Sequence, residues 1–550
     1  LSDFNLPSYQ GNYGFLNYSL EATEKDFFSS IIWEQTMVPF FRIYIFVFWK
    51  YFKDFIDINY ILWFFNLIFY FLFIKWNLKI FKIDFNKNKI GILFAILVIT
   101  NPFYPLTILW PFHSTFFMIL FMYFTYLIFS KNEINFKRFI KINFLLLLMS
   151  LTWPGMNHLI FLVIFVIFFI VSDFKKRIIL FLTLITVMIY PFKNYYFFGN
   201  FGPTNLAGFT NGLNTVWPWV SEEKKDQLLQ ANKISVMFRE ALRGDFASSH
   251  QTILKKSDKL ILKVNEYSDD KNLPWLIDEN FDYIWRKDKQ KIHFLNDLFS
   301  KDGFIAWQSP AMVPISNHFN DIGISLFDDY IMDDELRKSL YKSLEVKIGG
   351  TLVAPDLYYK WYPIYQKSWQ DLGKYSYNFP TLNIFKVTAI NERDIRTPSV
   401  FSLLSILIST YIFFSLVLNI NISKKIKLNT LLILIIFSFY IKFSMVLNYS
   451  SQFEFIVPSI LLLLLLLIIN KKISNRNVIK KTYFENFKLN YKLLIGVVFI
   501  IYSFVFSSYI SLFECNRYFG IFSPIILPLI YSFLEFDKKY NENYFQFKIL

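Results

Sequence analysis

Clusters of lysine and arginine recur after every second apolar segment of this chain, and that alternation limits what it can fold into more than any other feature. Apolar segments lie at about 58–75, 90–104, 108–130, 142–153, 157–172 and 178–192, and again at about 399–420, 430–447, 453–470, 493–513 and 519–534. A helix needs roughly 20 apolar residues to cross about 30 Å of hydrocarbon, so these segments predict membrane helices, several of them short. Lys75, Lys79, Lys82, Lys87 and Lys89 fall on one side, joined by Lys131, Lys137, Arg138 and Lys141, and then by Lys175, Lys176 and Arg177. Farther along, the same side receives Lys424, Lys425 and Lys427, then Lys471, Lys472, Arg476, Lys480 and Lys481, and finally Lys538 and Lys539. The opposite connections, at 101–105, 152–155, 448–451 and 513–517, are nearly free of lysine. The basic side is cytoplasmic by the positive-inside rule.

Composition agrees with that reading. A chain that is 54% hydrophobic and 18% charged is too apolar for an ordinary soluble protein. The expected fold class is an all-α polytopic membrane protein, with about 11 membrane helices in this chain and a mixed extracytoplasmic domain of about 200 residues. The net charge of +15 is accounted for by topology, which removes the reason to expect nucleic acid as a partner. The only cysteine, Cys515, excludes an intramolecular disulfide and a CxxC metal site, and no divalent metal is expected.

The register holds only if the apolar run 37–49 does not cross the bilayer. It is too short to span and predicts a helix lying in the interface, with Trp49, Lys50 and Tyr51 at headgroup level. Residues 1–57 then form an external acidic loop and interfacial helix, 58–192 the first set of membrane helices and 193–397 an external domain. Residues 398–534 form the second set of membrane helices, and 535–550 a cytoplasmic tail. A first membrane helix before Leu1, running from inside to outside, would complete the register. Within the external domain, apolar spacing predicts helices at 221–243 and 333–347, with turns at 273–276 and 307–310. The chain carries no convincing internal repeat and no glycine-rich phosphate loop.

Polar groups at the outer membrane surface are scarce and costly to bury, which makes four sets worth naming. Asp3, Glu21, Glu24, Asp26 and Glu34 precede the interfacial helix. A carboxylate there could take the proton from an attacking hydroxyl, or be one of several solvated surface acids. Arg517 lies between two apolar segments, where its planar fork suits a lipid-linked phosphate; Glu514, three residues away, could instead pair with it to close a turn. His113 and His158 stand at outer helix ends beside prolines, placed either to orient a phosphate and shuttle a proton or to satisfy a carbonyl that a proline frees. His318 and Asp321 have a helical spacing, but one His and one Asp fall short of a metal site, and polar capping of a turn is the other reading. Asn17 and Asn448 head external sequons that also arise by chance.

Three stretches carry a family resemblance: Thr36 to Phe41 with Pro39, followed by an apolar run and Lys50; residues 191–208; and Glu514 to Arg517 ahead of Pro524. Together they resemble the C-type, polyprenyl-phosphate-sugar-dependent membrane glycosyltransferases, in particular the bacterial relatives of protein O-mannosyltransferases and aminoarabinose transferase. The resemblance implies a bacterial inner-membrane protein that takes a polyprenyl-phosphate sugar as donor. It also implies an acidic base shortly after the first membrane helix, for which Asp3 fits best.

The function expected is therefore transfer of a sugar from a polyprenyl-phosphate carrier to an external lipid, glycan or protein acceptor, with Asp3 as base and Arg517, Glu514, His113 and His158 binding substrate. Trp217, Trp219, Trp275, Trp285 and Trp307 would suit sugar faces, or serve in packing and at the membrane interface. A transporter or flippase of a lipid-linked precursor would need charges near mid-membrane and symmetry between halves, and the segments offer few acids. A non-catalytic membrane scaffold is the third reading.

Overall fold

The structure, a computed structural model, describes residues 20–25, 27–32, 34, 38–82, 88–99, 104, 113–130, 134–153, 156, 158–198, 201, 202, 204, 216–235, 238, 239, 312–353, 400–417, 424–448, 466, 468, 483–510 and 522–535. No strand occurs among the described residues. In chain order the helices are α1 (Leu20–Lys25), α2 (Phe27–Ile32), α3 (Phe40–Phe52), α4 (Ile58–Ile80), α5 (Lys89–Ile99), α6 (His113–Phe129), α7 (Phe136–Ser150), α8 (His158–Val171) and α9 (Phe174–Phe198). They continue as α10 (Glu222–Gln230), α11 (Met312–Ser325), α12 (Phe327–Met332), α13 (Asp334–Val353), α14 (Val400–Val417), α15 (Lys424–Asn448), α16 (Tyr483–Ile510) and α17 (Ile526–Glu535).

Short polar side chains start these helices by accepting from amides that have no partner in the first turn. Asp57 accepts from Asn59 N at 2.8 Å to open α4, and Asn135 accepts from Arg138 N at 3.0 Å to open α7. Asp173 accepts from Lys176 N at 3.0 Å to open α9, and Ser221 accepts from Lys224 N at 3.2 Å to open α10. The last of these helices stops well short of the expected 243. Lys233 N donates to Leu228 O at 2.9 Å and Asn232 N to Leu229 O at 3.0 Å, around a left-handed Asn232 with φ 54°. That is a Schellman stop, and asparagine tolerates the conformation it demands.

Cations close helices at the other end. Arg138 donates to Tyr126 O at 3.0 Å and Ser130 Oγ at 2.7 Å, and also to Leu127 O, so that a buried guanidinium covers the C-terminus of α6. Arg177 donates to Phe169 O at 3.2 Å and caps α8, while Lys427 donates to Phe533 O at 3.1 Å and caps α17. Each meets the partial negative charge of a helix C-terminus. All three belong to the lysine and arginine clusters that mark one side of the sequence pattern. Asn88, beside another of those clusters, donates to Tyr531 OH at 2.8 Å near the same end of α17.

The apolar core is continuous from α4 to α9 and from α14 to α17. α17 is its hub, packing on α5, α6, α14, α15 and α16 with nearly every side chain buried. α4 and α9 lie at the periphery. They alone among the described helices are long and apolar enough to cross a membrane, and shorter apolar helices occur at Lys89–Ile99, Thr115–Phe129, Ile160–Val171, Leu403–Leu416, Lys427–Phe439, Tyr491–Val505 and Ser523–Leu534. α3, at 13 residues, is shorter than a span and buries Phe41, Arg42, Ile45 and Phe46 along one face. α10 to α13 gather around Trp217, Leu228, Phe238, Phe319, Tyr330 and Leu336, and α13 continues onto α16 and α14.

Candidate functional site

Arg42 lies on the inward face of α3, among Phe41, Ile45 and Phe46, where a cation must be compensated. It donates to Glu34 Oε2 at 3.0 Å and to Ser30 O at 2.9 Å, and also to Thr23 Oγ1. Carboxylate and guanidinium are both sealed from solvent, at 1% and 3% side-chain exposure. From the far end of α9, Tyr190 OH donates to Glu34 O at 2.8 Å, and Lys193 Nζ donates to the same carbonyl while lying 4.1 Å from the Tyr190 ring centre. Next along α9, Asn194 is fully buried and donates from Nδ2 to Gly202 O at 2.8 Å.

This arrangement depends on α9 running past Pro191, where the sequence pattern ends the apolar segment. The proline sits inside the helix, and the turn beyond it carries Lys193 and Asn194. The start of α3 is held separately, through Phe40 N to Leu151 O at 2.8 Å. The N-terminal segment and α3 are therefore tied to the ends of α7 and α9 by hydrogen bonds, and to each other by the buried Glu34–Arg42 pair.

A second group of contacts joins the ends of α6, α7 and α17. Trp153 and Phe522 lie 5.8 Å apart, each packed on Phe117 at 5.0 and 5.4 Å, and Ser523 Oγ lies 3.4 Å from Tyr104 OH. His113 and His158 are the first residues of α6 and α8, and their side chains lie outside the described residues. Asp3, Glu514 and Arg517 also lie outside them, although Phe522 follows Arg517 by five positions in the chain.

Sequence reasoning named Glu34 only as one acid among several, and passed over Arg42, Tyr190, Lys193 and Asn194. A signal was present: Arg42 and Lys193 are cations that each stand inside an apolar, aromatic stretch. Of the tryptophans named for sugar faces, Trp217 is buried against Phe238 at 5.1 Å and serves packing, while Trp275, Trp285 and Trp307 lie outside the described residues. Burial raises the Asp321 carboxyl above its ordinary range, and the side chain of His318 lies outside the described residues. Among the described residues no three His, Cys, Asp or Glu side chains gather as a metal site would require. Comparison with family models, characterised proteins and solved structures found no match.

Proposed function

We propose that this chain is a polytopic membrane glycosyltransferase, moving a sugar from a polyprenyl-phosphate carrier to an extracytoplasmic lipid, glycan or protein acceptor. In this reading about 11 helices span the bilayer. The basic connections lie in the cytoplasm, and residues 1–57 and 193–397 lie outside a bacterial inner membrane.

The observation that carries the reading is the tie between the N-terminal segment and the ends of α7 and α9, made by Phe40 with Leu151 and by Glu34 with Tyr190 and Lys193. It holds an acid-bearing segment against the ends of apolar helices, where the headgroup of a lipid-linked donor would sit. The lipid-facing surface gives separate support. α4 exposes Tyr60, Phe64, Leu67, Ile68 and Phe71, and α9 exposes Phe181, Leu182, Ile185, Ile189 and Phe192, ending at Tyr195 and Tyr196. Exposed aliphatic stripes that finish in tyrosine suit a helix surrounded by lipid with aromatic residues at the interface.

Asp3 would accept the proton of the acceptor hydroxyl as its oxygen attacks the anomeric carbon. The polyprenyl phosphate leaves with the bonding pair, and the configuration at that carbon inverts. Arg517, oriented by Glu514, would hold the departing phosphate, with His113 and His158 to orient it or move a proton. Purified protein in lipid nanodiscs, given labelled polyprenyl-phosphate sugars and an envelope extract, is expected to consume the donor, and Asp3→Asn and Arg517→Ala are each expected to abolish the turnover. Donor left intact by the wild type, together with a cellular glycan profile that neither substitution alters, would refute the transferase. Vesicles that translocate the lipid-linked sugar without cleaving it would replace it with a transporter.

A further inference from the structure

The helices that precede α13 leave apolar side chains uncovered in a part of the chain where the ion pairs are already satisfied. Ile324, Phe327 and Ile331 follow one another at three- and four-residue spacing across the junction of α11 and α12, and Met332 stands beside them. Phe327 is 64% exposed and Met332 80%. Interior packing does not call for them, because Ile322, Leu326 and Tyr330 on the opposite side already fill the core of this subdomain.

The surrounding sequence is acidic, and three of its carboxylates are neutralised. Asp329 pairs with Lys233, Asp333 with Lys224 and Asp334 with Arg337. An acid-rich stretch whose carboxylates are paired can approach a phosphate-bearing surface that bare aspartates would repel. The next helix leads to such a surface, since α13 packs directly on the apolar helices α16 and α14. Along α13, Lys338, Tyr341, Lys342 and Leu344 alternate basic and apolar groups, a pattern that suits a headgroup layer.

We propose that the α11–α12 junction rests in the outer leaflet of the same bilayer, with Ile324, Phe327, Ile331 and Met332 among the upper acyl chains and the paired aspartates at headgroup level. The contact fixes the subdomain against the membrane, so that it stands over the helix ends instead of swinging freely about α13. It rests on the reading that the chain spans a bilayer, and is independent of the chemistry proposed for it.

The lone cysteine makes the test direct. In a Cys515→Ser background, Phe327→Cys and Met332→Cys are each labelled with an environment-sensitive fluorophore, and the protein is placed in nanodiscs with or without lipid spin-labelled near the headgroup. Phe64→Cys on α4 reports the lipid-facing control, and Glu223→Cys on the polar helix α10 the aqueous one. Both junction labels are expected to emit blue-shifted light and to lose most of it to the spin-labelled lipid, while the Glu223→Cys label loses none. Water-like, unquenched emission at both junction positions while the Phe64→Cys label is quenched overturns the proposal and leaves the membrane reading intact. Blue-shifted emission that the spin-labelled lipid does not quench also overturns it, in favour of cover by protein. Loss of quenching at the Phe64→Cys label as well defeats the membrane reading from which the proposal starts.

Discussion

Glu34 and Arg42 are a buried ion pair, and such a pair is worth little against an apolar replacement but a great deal against the loss of one member. Glu34→Gln is therefore expected to cost about 3–5 kcal/mol, because Arg42 would remain buried without its counter-charge. The paired replacement Glu34→Leu with Arg42→Met should recover most of that loss. Thermal unfolding in detergent, followed through tryptophan fluorescence, checks both, and equal losses in the single and paired variants would show that charge compensation is not what holds this junction. Asp333, away from the apolar helices, makes a contrasting case. Burial pushes its carboxyl up, but the bond from Lys224 and those from the Leu336 and Glu335 amides outweigh that and hold it below the ordinary carboxylate range. A carboxyl depressed by folding adds stability above its unfolded value of about 3.9, and that stability is lost as the pH falls through the lower folded value. The subdomain of α10 to α13 should therefore loosen below about pH 4, and Asp333→Asn should flatten that part of a pH series read by limited proteolysis.

Helix ends decide the packing more than helix middles do. The first turn of α5 shows it at Gly91, where an added Cβ would meet Phe81 O at 2.3 Å and Asn88 Nδ2 at 2.6 Å. A backbone carbonyl cannot step aside as a side chain can, so Gly91→Ala must disturb the same turn that carries Asn88 to Tyr531. At Gly496 the nearest obstacle is Leu529 Cδ1 at 2.9 Å, the tip of a side chain that can rotate. Gly91→Ala is accordingly expected to destabilise by about 1–3 kcal/mol and Gly496→Ala by less, an ordering that denaturation of the two variants side by side reads directly. The cationic caps make the same point. Arg138→Met, which strips the guanidinium from the end of α6, should cost about 2 kcal/mol, and should do so even where membrane insertion is unchanged. Insertion is followed by the fraction recovered in membranes, stability by the unfolding midpoint of that fraction. A basic residue at these positions thus serves helix termination.

At the scale of the molecule, the charge pattern and the tertiary contacts group the helix ends in the same way. Asn88 meets Tyr531, and Lys427 meets Phe533, within the set marked by lysine; Glu34 meets Tyr190 and Lys193, and Phe40 meets Leu151, within the other. Single cysteines at Lys175 and Glu223, in the Cys515→Ser background, should accordingly differ towards a membrane-impermeant thiol reagent applied to whole cells. The Glu223→Cys protein is expected to be labelled from outside and the Lys175→Cys protein only after the membrane is opened. Equal labelling of both from outside would overturn the assigned sidedness.

Helical character and the apolar runs were legible in the sequence, because they depend on local periodicity, whereas α7 and α9 begin earlier than the expected 142 and 178, behind the caps Asn135 and Asp173. The short length of α3 was legible too, since it follows from counting apolar residues. The extension of α9 past 192 was not: the proline and the following polar residues signal a stop, and only the contacts of Tyr190 and Lys193 with Glu34, and of Asn194 with Gly202, show what the added turn does. The pairing of Glu34 with Arg42 and the partners of Lys193 were hidden for a like reason. Lys193 reaches a carbonyl 159 positions away, and which carbonyl that is depends on how whole helices pack. The sequence by itself determined that the chain is helical and apolar, because both follow from local composition and periodicity. The tertiary structure alone decided which charges are buried together and which apolar faces stay open, because those follow from contacts between segments far apart in the chain.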